Sequence, residues 1–453
     1  MTAQVNQERQ DLPQTLVVGL GVTGLSVLRF LRARGVPVAV TDSRAAPPGG
    51  EALATEFADV PAALGGFDAD WFARARTLIV SPGVPVSEPL IAAARARGAE
   101  IIGDIELFAR HAHAPVVAIT GSNGKSTVTA LLGEMAADAG RAVRVGGNIG
   151  RPALALLGDS EPDLYVLELS SFQLETTASL DSAVAVVLNV SPDHMDRYPS
   201  VSAYAASKRR VYQGRGVMVV NCDDPQVVAM QEPGRPTVGF SLGRPLDSDF
   251  GILDGEGGDW LAHGKTPLMP VRELRLAGRH NQANALAALA LGEAVGLPME
   301  AMLGTLRRFT GLWHRTQWVA EIDGVRWYND SKATNIGATL AAIDGLDGPL
   351  VVILGGQGKG ADFAPLRAAL ARKGRAVVLL GEAADIIELS LDGVLPVRRA
   401  GGMGEAVAQA RALARPGDAV LLSPACASFD MFDGFAARGD AFITAVRALE
   451  AAS

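Results

Sequence analysis

Ten short apolar runs, each four to six residues long, recur along this chain between stretches of helical patterning. They fall at residues 15–18, 38–41, 77–80, 116–119, 164–167, 183–188, 217–220, 350–354, 376–380 and 419–422. Runs that stay apolar instead of alternating belong to strands buried on both faces, and strands that alternate with helices build parallel sheets covered by helices. The pattern therefore points to an α/β fold. At 453 residues the chain holds about three units of roughly 150 residues each. Boundaries are expected near residue 105, before a new strand-loop-helix unit opens, and near 311, where a helical region at 281–308 gives way to Phe309, Thr310 and Gly311. Segment 235–275, rich in Gly, Pro and Asp, reads as irregular or as a small antiparallel insertion.

Composition narrows the class. A hydrophobic share of 48% with 51 glycines fits a glycine-rich α/β enzyme and excludes a disordered or fibrous chain. The net charge of -8, with no basic tract, argues against a nucleic-acid partner but leaves small anionic ligands open. Residues 1–14 are polar and lack the apolar core of a signal peptide, and no run approaches the roughly 18 apolar residues of a membrane span. A soluble, cytoplasmic protein without a membrane partner is expected. The only cysteines, Cys222 and Cys426, form no CxxC pair, so two buried free thiols are expected in place of a disulfide or zinc site.

Residues Gly121, Ser122, Asn123, Gly124, Lys125, Ser126 and Thr127 sit between the apolar run 116–119 and an amphipathic stretch in which Val128, Leu131, Leu132 and Met135 share one face and Gly140 is the stop. Backbone N–H groups freed by the two glycines can close on phosphate oxygens, Lys125 offers a point charge, and the Ser126 hydroxyl can ligand a divalent metal. The spacing departs from the common phosphate loop, whose first glycine would fall at Ile119. An ordinary strand-to-helix turn is the competing reading, and the rest of the chain has to decide.

A second glycine array, Gly19, Gly21 and Gly24, follows the first apolar run, and Asp42 ends the next strand about 20 residues on. Read literally this is a dinucleotide fingerprint and the chain an NAD-dependent oxidoreductase. The physics is broader, because a close backbone approach at a helix N-terminus suits any diphosphate, a UDP-linked one included. A dehydrogenase has no use for a second phosphate loop. Further along, Glu168 ends the run 164–167 where a metal ligand would sit beside a phosphate loop. His194, in a loop after the next strand, lies on the same sheet edge, which raises it above an ordinary packed histidine. In the third unit, residues 329–335, the turn Gly355, Gly356, Gly358 and Lys359, and residues 423–428 with Phe435 form three strand-end loops able to line one cleft, with His314 and Arg315 just upstream.

Taken together, residues 121–127, 146–150, 167–175, 193–199, 329–335 and 422–429 are far more restrictive than a glycine loop, and over almost its whole length the chain resembles the Mur ligases, most nearly the branch that adds D-glutamate. That resemblance implies a UDP-substrate-binding Rossmann-like domain (1–105), a central P-loop-type ATP-binding domain with a mainly parallel sheet (106–311) and a Rossmann-like, amino-acid-binding C-terminal domain that closes the site (312–453). It implies an ATP-dependent ligase working as a monomer through an acyl phosphate in peptidoglycan precursor synthesis, with UDP-N-acetylmuramoyl-L-alanine and D-glutamate as substrates. By position, residues 121–127 with Asn281, Arg315 and Asp330 would contact ATP, and Lys125 would grip its phosphates. Two Mg²⁺ would be held by Ser126 and Glu168, and by His194 with Lys208. Lys208 matches a lysine the family carbamylates; from the residues alone, Lys208, Arg209 and Arg210 read as a solvated basic face. Gly21, Val22, Thr23, Asp42, Ser43, Arg44, Ser81, Gly83 and Asn148 would hold the UDP substrate, and Thr334, Lys359, Ser428 and Phe435 the D-glutamate, with Lys332 in the same loop. Ser122 stands where threonine is common and Trp313 where proline is, and neither change removes a functional group. Other Mur ligases and folylpolyglutamate synthase-like ligases share the phosphate loop and differ in substrate pockets.

Overall fold

Three sheets divide the chain in order along the sequence. The computed structural model describes residues 13–452 apart from 256 and 277, so the polar residues 1–12 lie outside the described residues. The first sheet comprises β1 (Thr15–Val18), β2 (Val38–Asp42), β3 (Ala62–Leu64), β4 (Thr77–Val80) and β5 (Glu100–Ile102), ordered β3-β2-β1-β4-β5 and parallel throughout. Its glycine array has a packing reason: a Cβ on Gly24 would sit 2.1 Å from the Gly19 carbonyl oxygen, so only glycine lets the helix Val22–Ala33 press against the strand-end loop.

The second sheet has nine strands: β6 (Val116–Thr120), β7 (Val143–Gly147), β8 (Leu164–Glu168), β9 (Val184–Val187), β10 (Val217–Asn221), β11 (Thr237–Phe240), β12 (Phe250–Gly255), β13 (Gly258–His263) and β14 (Thr266–Pro270). The order is β14-β13-β12-β11-β10-β9-β6-β8-β7, with β6 flanked by β8 and β9. Segment 235–275, expected to be irregular or antiparallel, adds parallel β11 and then an antiparallel meander of β12, β13 and β14. The helical region expected at 281–308 is two helices, Arg279–Ala294 and Met299–Arg308, because Gly296 takes a left-handed φ of 74° and Pro298 cannot continue the first.

The third sheet, β15 (Gln317–Ile322), β16 (Val325–Asn329), β17 (Leu350–Gly355), β18 (Gly374–Leu380), β19 (Val397–Arg399) and β20 (Ala419–Leu422), runs β15-β16-β20-β17-β18-β19. Only the edge hairpin β15–β16 is antiparallel. All three sheets are thus the mainly parallel, helix-covered kind that the apolar runs required. The carboxyl ends of β6, β8 and β9 face those of β16, β17 and β20, where ligands bind in open α/β sheets. Charge-assisted bonds tie the lobes together. Arg197 of the middle lobe donates to the Pro82 carbonyl of the first at 2.7 Å, and Gln173 of the middle lobe donates to Asp104 Oδ2 at 3.0 Å. Among the described residues no helix is long and apolar enough to cross a membrane. Cys426 is buried as expected, but Cys222 is exposed, because it follows β10 in a strand-end loop instead of lying in a strand.

Candidate active site

The phosphate loop leaves β6 and enters the helix Lys125–Asp138 through Gly124, whose φ of 85° is left-handed. A Cβ there would also lie 2.4 Å from Asn284 Oδ1, so glycine serves both the turn and the close approach of the helix Arg279–Ala294. Asn189, at the end of the neighbouring strand, braces the loop: its Oδ1 accepts from Asn123 N–H at 2.8 Å and its amide donates back to the Asn123 carbonyl. Lys125 Nζ donates to the carbonyls of Gly121 and Ser122 at 2.8 and 3.0 Å. The third lobe reaches across to the same place, with the Arg315 guanidinium donating to Ser126 Oγ at 2.6 Å.

Around the loop a hollow of ≈ 300 Å³ is lined by Asn123, Gly124, Thr127, Asn281, Arg315 and Asp330, six of the residues expected to contact ATP, together with His280, Asn284, Thr316 and Lys332. Asp330 is fixed by bonds from Thr316 N–H and Ser423 Oγ, both at 2.9 Å, while burial raises its carboxyl to about 7. Burial lowers Lys125 and Arg315, and brings Lys332 down to about 8. Cations therefore crowd a partly desolvated pocket, where each acts more strongly on an anion than it would in water.

Glu168 ends β8 in register with Ile119 of β6 and is 2% exposed. Asn148 donates to its Oε1 at 2.7 Å, whereas Oε2 is buried with no hydrogen-bond partner. An orphaned carboxylate oxygen beside a hydroxyl-bearing phosphate loop is a donor set suited to a hard cation such as Mg²⁺. Lys208 corrects the solvated-face reading. It is 1% exposed, because Tyr204, Ala205, Ser207 and Lys208 form the inward side of the helix Val201–Arg209, and only the run of charges made it look like surface. Its Nζ donates to the Gly121 carbonyl at 2.8 Å and lies 4.4 Å from the Tyr204 ring centroid; burial, helped by nearby Lys125, pulls it well below the ordinary lysine range. His194 packs edge-on against Phe172 at 4.8 Å between centroids. Among the described residues no three His, Cys, Asp or Glu side chains cluster.

All nine residues expected at the UDP substrate line one cleft of ≈ 540 Å³: Gly21, Val22, Thr23, Asp42, Ser43, Arg44, Ser81, Gly83 and Asn148. Asp42 is bonded within its own lobe. Leu20 N–H and the Arg44 guanidinium bind both its oxygens at 2.7 to 2.9 Å; burial works against ionisation, but these donors outweigh it and hold the carboxyl at about 2. Asn148 belongs to this cleft and touches Glu168, so the cleft opens onto the phosphate site. Of the four residues expected at D-glutamate, Thr334 and Lys359 share a cavity of ≈ 500 Å³ with His194, Asp193 and Asn335. Ser428 and Phe435 do not line it. Ser428 is buried, its carbonyl accepting from Phe432 N–H at 2.8 Å, and the Phe435 ring faces Lys332 Nζ at 3.9 Å.

Seven non-glycine residues among those described have positive φ, and five of them, His194, His314, Thr316, Lys359 and Ala425, stand in the loops around this site. Such strain persists only where the surroundings impose it, and it collects at functional sites. His314 and Thr316 flank Arg315 and set its reach across the lobes. Sequence analysis leaves Asn284 and Gln173 unassigned. Asn284, one helical turn after Asn281 and bonded to it at 3.0 Å, was findable from that spacing. Gln173 lines the cleft expected to take the UDP substrate, and only tertiary structure puts it there.

Known proteins resemble this chain over almost its whole length. Residues 13–103 match the family model "Mur ligase MurD-like, N-terminal domain", residues 119–292 the "Mur ligase middle domain", and residues 314–426 the "Mur ligase, glutamate ligase domain". The UDP-N-acetylmuramoylalanine--D-glutamate ligase of Nitrosococcus oceani is 58% identical over 435 residues, 96% of each chain. The enzyme of the same name from Methylococcus capsulatus is 52% identical over 436 residues, 96% of this chain and 95% of its own. Among solved structures, the UDP-N-acetylmuramate-alanine ligase MurC of Thermotoga maritima superposes with a TM-score of 0.59 at 17% identity, covering 97% of this chain and 99% of its own. A pseudomurein peptide ligase type C from Methanothermus fervidus gives 0.59 at 19% identity over 90% and 96%. At that identity the two structures speak for the fold alone.

Proposed function

The chain belongs to the Mur ligase family, and from that premise we infer that it is the ATP-dependent ligase that joins D-glutamate to UDP-N-acetylmuramoyl-L-alanine in peptidoglycan precursor synthesis. One observation carries the reading beyond family membership. The UDP cleft, the phosphate loop and the cations of the third lobe converge on Glu168, with Asn148 bridging cleft and carboxylate at 2.7 Å. Membership also disposes of the NAD-dependent alternative.

In this reading residues 1–105 hold the UDP substrate, 106–311 ATP and 312–453 the amino acid. The alanyl carboxylate attacks the γ-phosphorus of ATP, ADP leaves, and the acyl phosphate so formed is attacked by the D-glutamate amine, expelling phosphate. Carboxylate and phosphate repel: at 4 Å and an effective dielectric of 20 each pair of unit charges costs about 4 kcal/mol. Lys125, turning from the Gly121 and Ser122 carbonyls to phosphate oxygens, and Arg315, from the facing lobe, offset that cost. Mur ligases use Mg²⁺, which when bound supplies further neutralisation between the two anions. Ser126 and Glu168 would hold one ion, and His194 with a carbamate on Lys208 a second. A neutral lysine amine is the form that adds carbon dioxide, and burial shifts Lys208 toward that form. Thr334 and Lys359 orient the amino acid, and the third lobe, packed on the loop, keeps water from the acyl phosphate. A cytoplasmic monomer is the arrangement this reading takes, with residues from all three lobes of one chain lining the clefts.

Phosphate release, measured with ATP, Mg²⁺ and UDP-N-acetylmuramoyl-L-alanine against D-glutamate, L-glutamate and L-alanine, tests the reading. Turnover with D-glutamate alone is expected; turnover with L-alanine or L-glutamate would reassign the chain within the family.

A further inference from the structure

Arg438 is 1% exposed, one of the largest fully buried side chains in the protein, and belongs to neither the phosphate nor the metal machinery. Its guanidinium has five N–H groups, and the structure gives five bonds. Nε donates to Ser331 Oγ at 3.0 Å, and one terminal nitrogen to the Ser331 and Cys426 carbonyls at 2.8 and 3.1 Å. The other donates to the Ala427 and Gly355 carbonyls at 3.2 and 3.5 Å. Every one of these acceptors is neutral, and among the described residues Arg438 makes no ion pair. The ionisable groups that bear on it are the Cys426 thiol and Asp430, and burial lowers it only to about 10, so it stays charged at neutral pH.

An unpaired buried charge is costly, and one sustained only by carbonyls calls for a compensating role. The placement supplies one. Ser331 precedes Lys332 and Thr334, Gly355 opens the turn that carries Lys359, and Ala427 precedes Ser428, so one side chain ties together three separate strand-end loops. The approach is tight enough that a Cβ on Gly356 would lie 2.2 Å from the Ala427 carbonyl oxygen and 3.1 Å from the guanidinium. The amino acid that these loops serve carries two carboxylates.

We propose that Arg438 is the positioning residue of the amino-acid subsite: it fixes the loops of Lys332, Lys359 and Ser428 in register. The proposal rests on the third lobe's being the D-glutamate site. It separates that step from acyl-phosphate formation, which in the reading above draws on the phosphate loop, the UDP cleft and Arg315 and not on Arg438.

The test uses the full-length enzyme with Arg438→Met, Arg438→Lys and Arg438→Ala. In Arg438→Met the KM for D-glutamate should rise roughly tenfold or more, the KM for ATP by a smaller factor because Ser331 adjoins Asp330 of the ATP hollow, and the KM for the UDP substrate should stay within about twofold of wild type. Arg438→Lys should fall between, and millimolar guanidinium should restore part of the D-glutamate affinity of Arg438→Ala. Positional isotope exchange in bridge-labelled ATP, run with the UDP substrate and no amino acid, should persist in all three, which also shows that they fold. An unchanged KM for D-glutamate, a parallel rise in all three KM values, or loss of exchange would overturn the proposal. Wild-type turnover with a different amino acid would instead strike the functional reading, and the variants would then be scored on that amino acid's KM.

Discussion

Lys125 and Lys208 donate to the same Gly121 carbonyl oxygen, each at 2.8 Å, although 83 residues separate them in sequence (208 − 125). Two ammonium groups cannot both stay comfortably charged at one acceptor in a buried site, which is why burial and mutual repulsion lower Lys208. Lys125→Ala should reduce D-glutamate-dependent phosphate release by about 10³-fold or more while UDP-substrate affinity, read by calorimetry, stays within a few-fold; loss of both would contradict the division of labour between lobes. Lys208→Ala should also lose most activity, and short-chain carboxylic acids should restore part of it if a carbamate carboxylate is the missing group. Rescue by amines instead of acids would argue for the free lysine. Lys125 was legible because a glycine turn between strand and helix announces it. Lys208 was not, because a charge run looks the same on a solvated face and on a face turned inward.

At the scale of elements, the short helix Asp104–Ala109 links the first sheet to the second and begins with a buried carboxyl. Burial raises Asp104 from 3.8 to about 6, only partly opposed by the 3.0 Å bond from Gln173, and its second oxygen has no partner. Between about pH 4 and 6 the folded chain keeps a proton that the unfolded chain has released, so this group's contribution to stability falls as pH rises through that window. Asp104→Asn cannot ionise. Its Tm should therefore exceed wild type at about pH 8, by the equivalent of up to about 3 kcal/mol, and approach it near pH 4; a pH-independent difference would exclude a buried charge as the cause. Strands with four or more consecutive apolar residues were readable. β7, with Arg144 and two glycines, and the three-residue β3, β5 and β19 were not, because pairing with a neighbour and not their own pattern makes them strands.

At the scale of the whole molecule, the lobes meet through few but specific contacts. Asn335 caps the helix Ile336–Gly345 with its Oδ1 and donates its amide to Asp193 Oδ2 at 3.1 Å and to Asn123 Oδ1 at 3.4 Å on the middle lobe. Asn335→Asp keeps the cap but sets a carboxylate against Asp193. The KM for ATP should rise about tenfold and small-angle scattering should report a larger radius of gyration; an unchanged radius with an unchanged KM would show that closure does not depend on this contact. The sequence by itself determined the α/β class, the strand-loop-helix unit at 121–127 and the glycine array of the first lobe, because apolar runs and glycines act within a few positions of where they stand. The other residues expected at the UDP substrate came from the family resemblance. Only the tertiary structure decided that Lys208 and Arg438 are buried, that Arg315 reaches Ser126, and that Ser428 and Phe435 stand apart from the cavity of Thr334 and Lys359. Those facts depend on which loops three separate sheets bring together, and that is fixed by packing between segments hundreds of residues apart, where no local pattern carries the information.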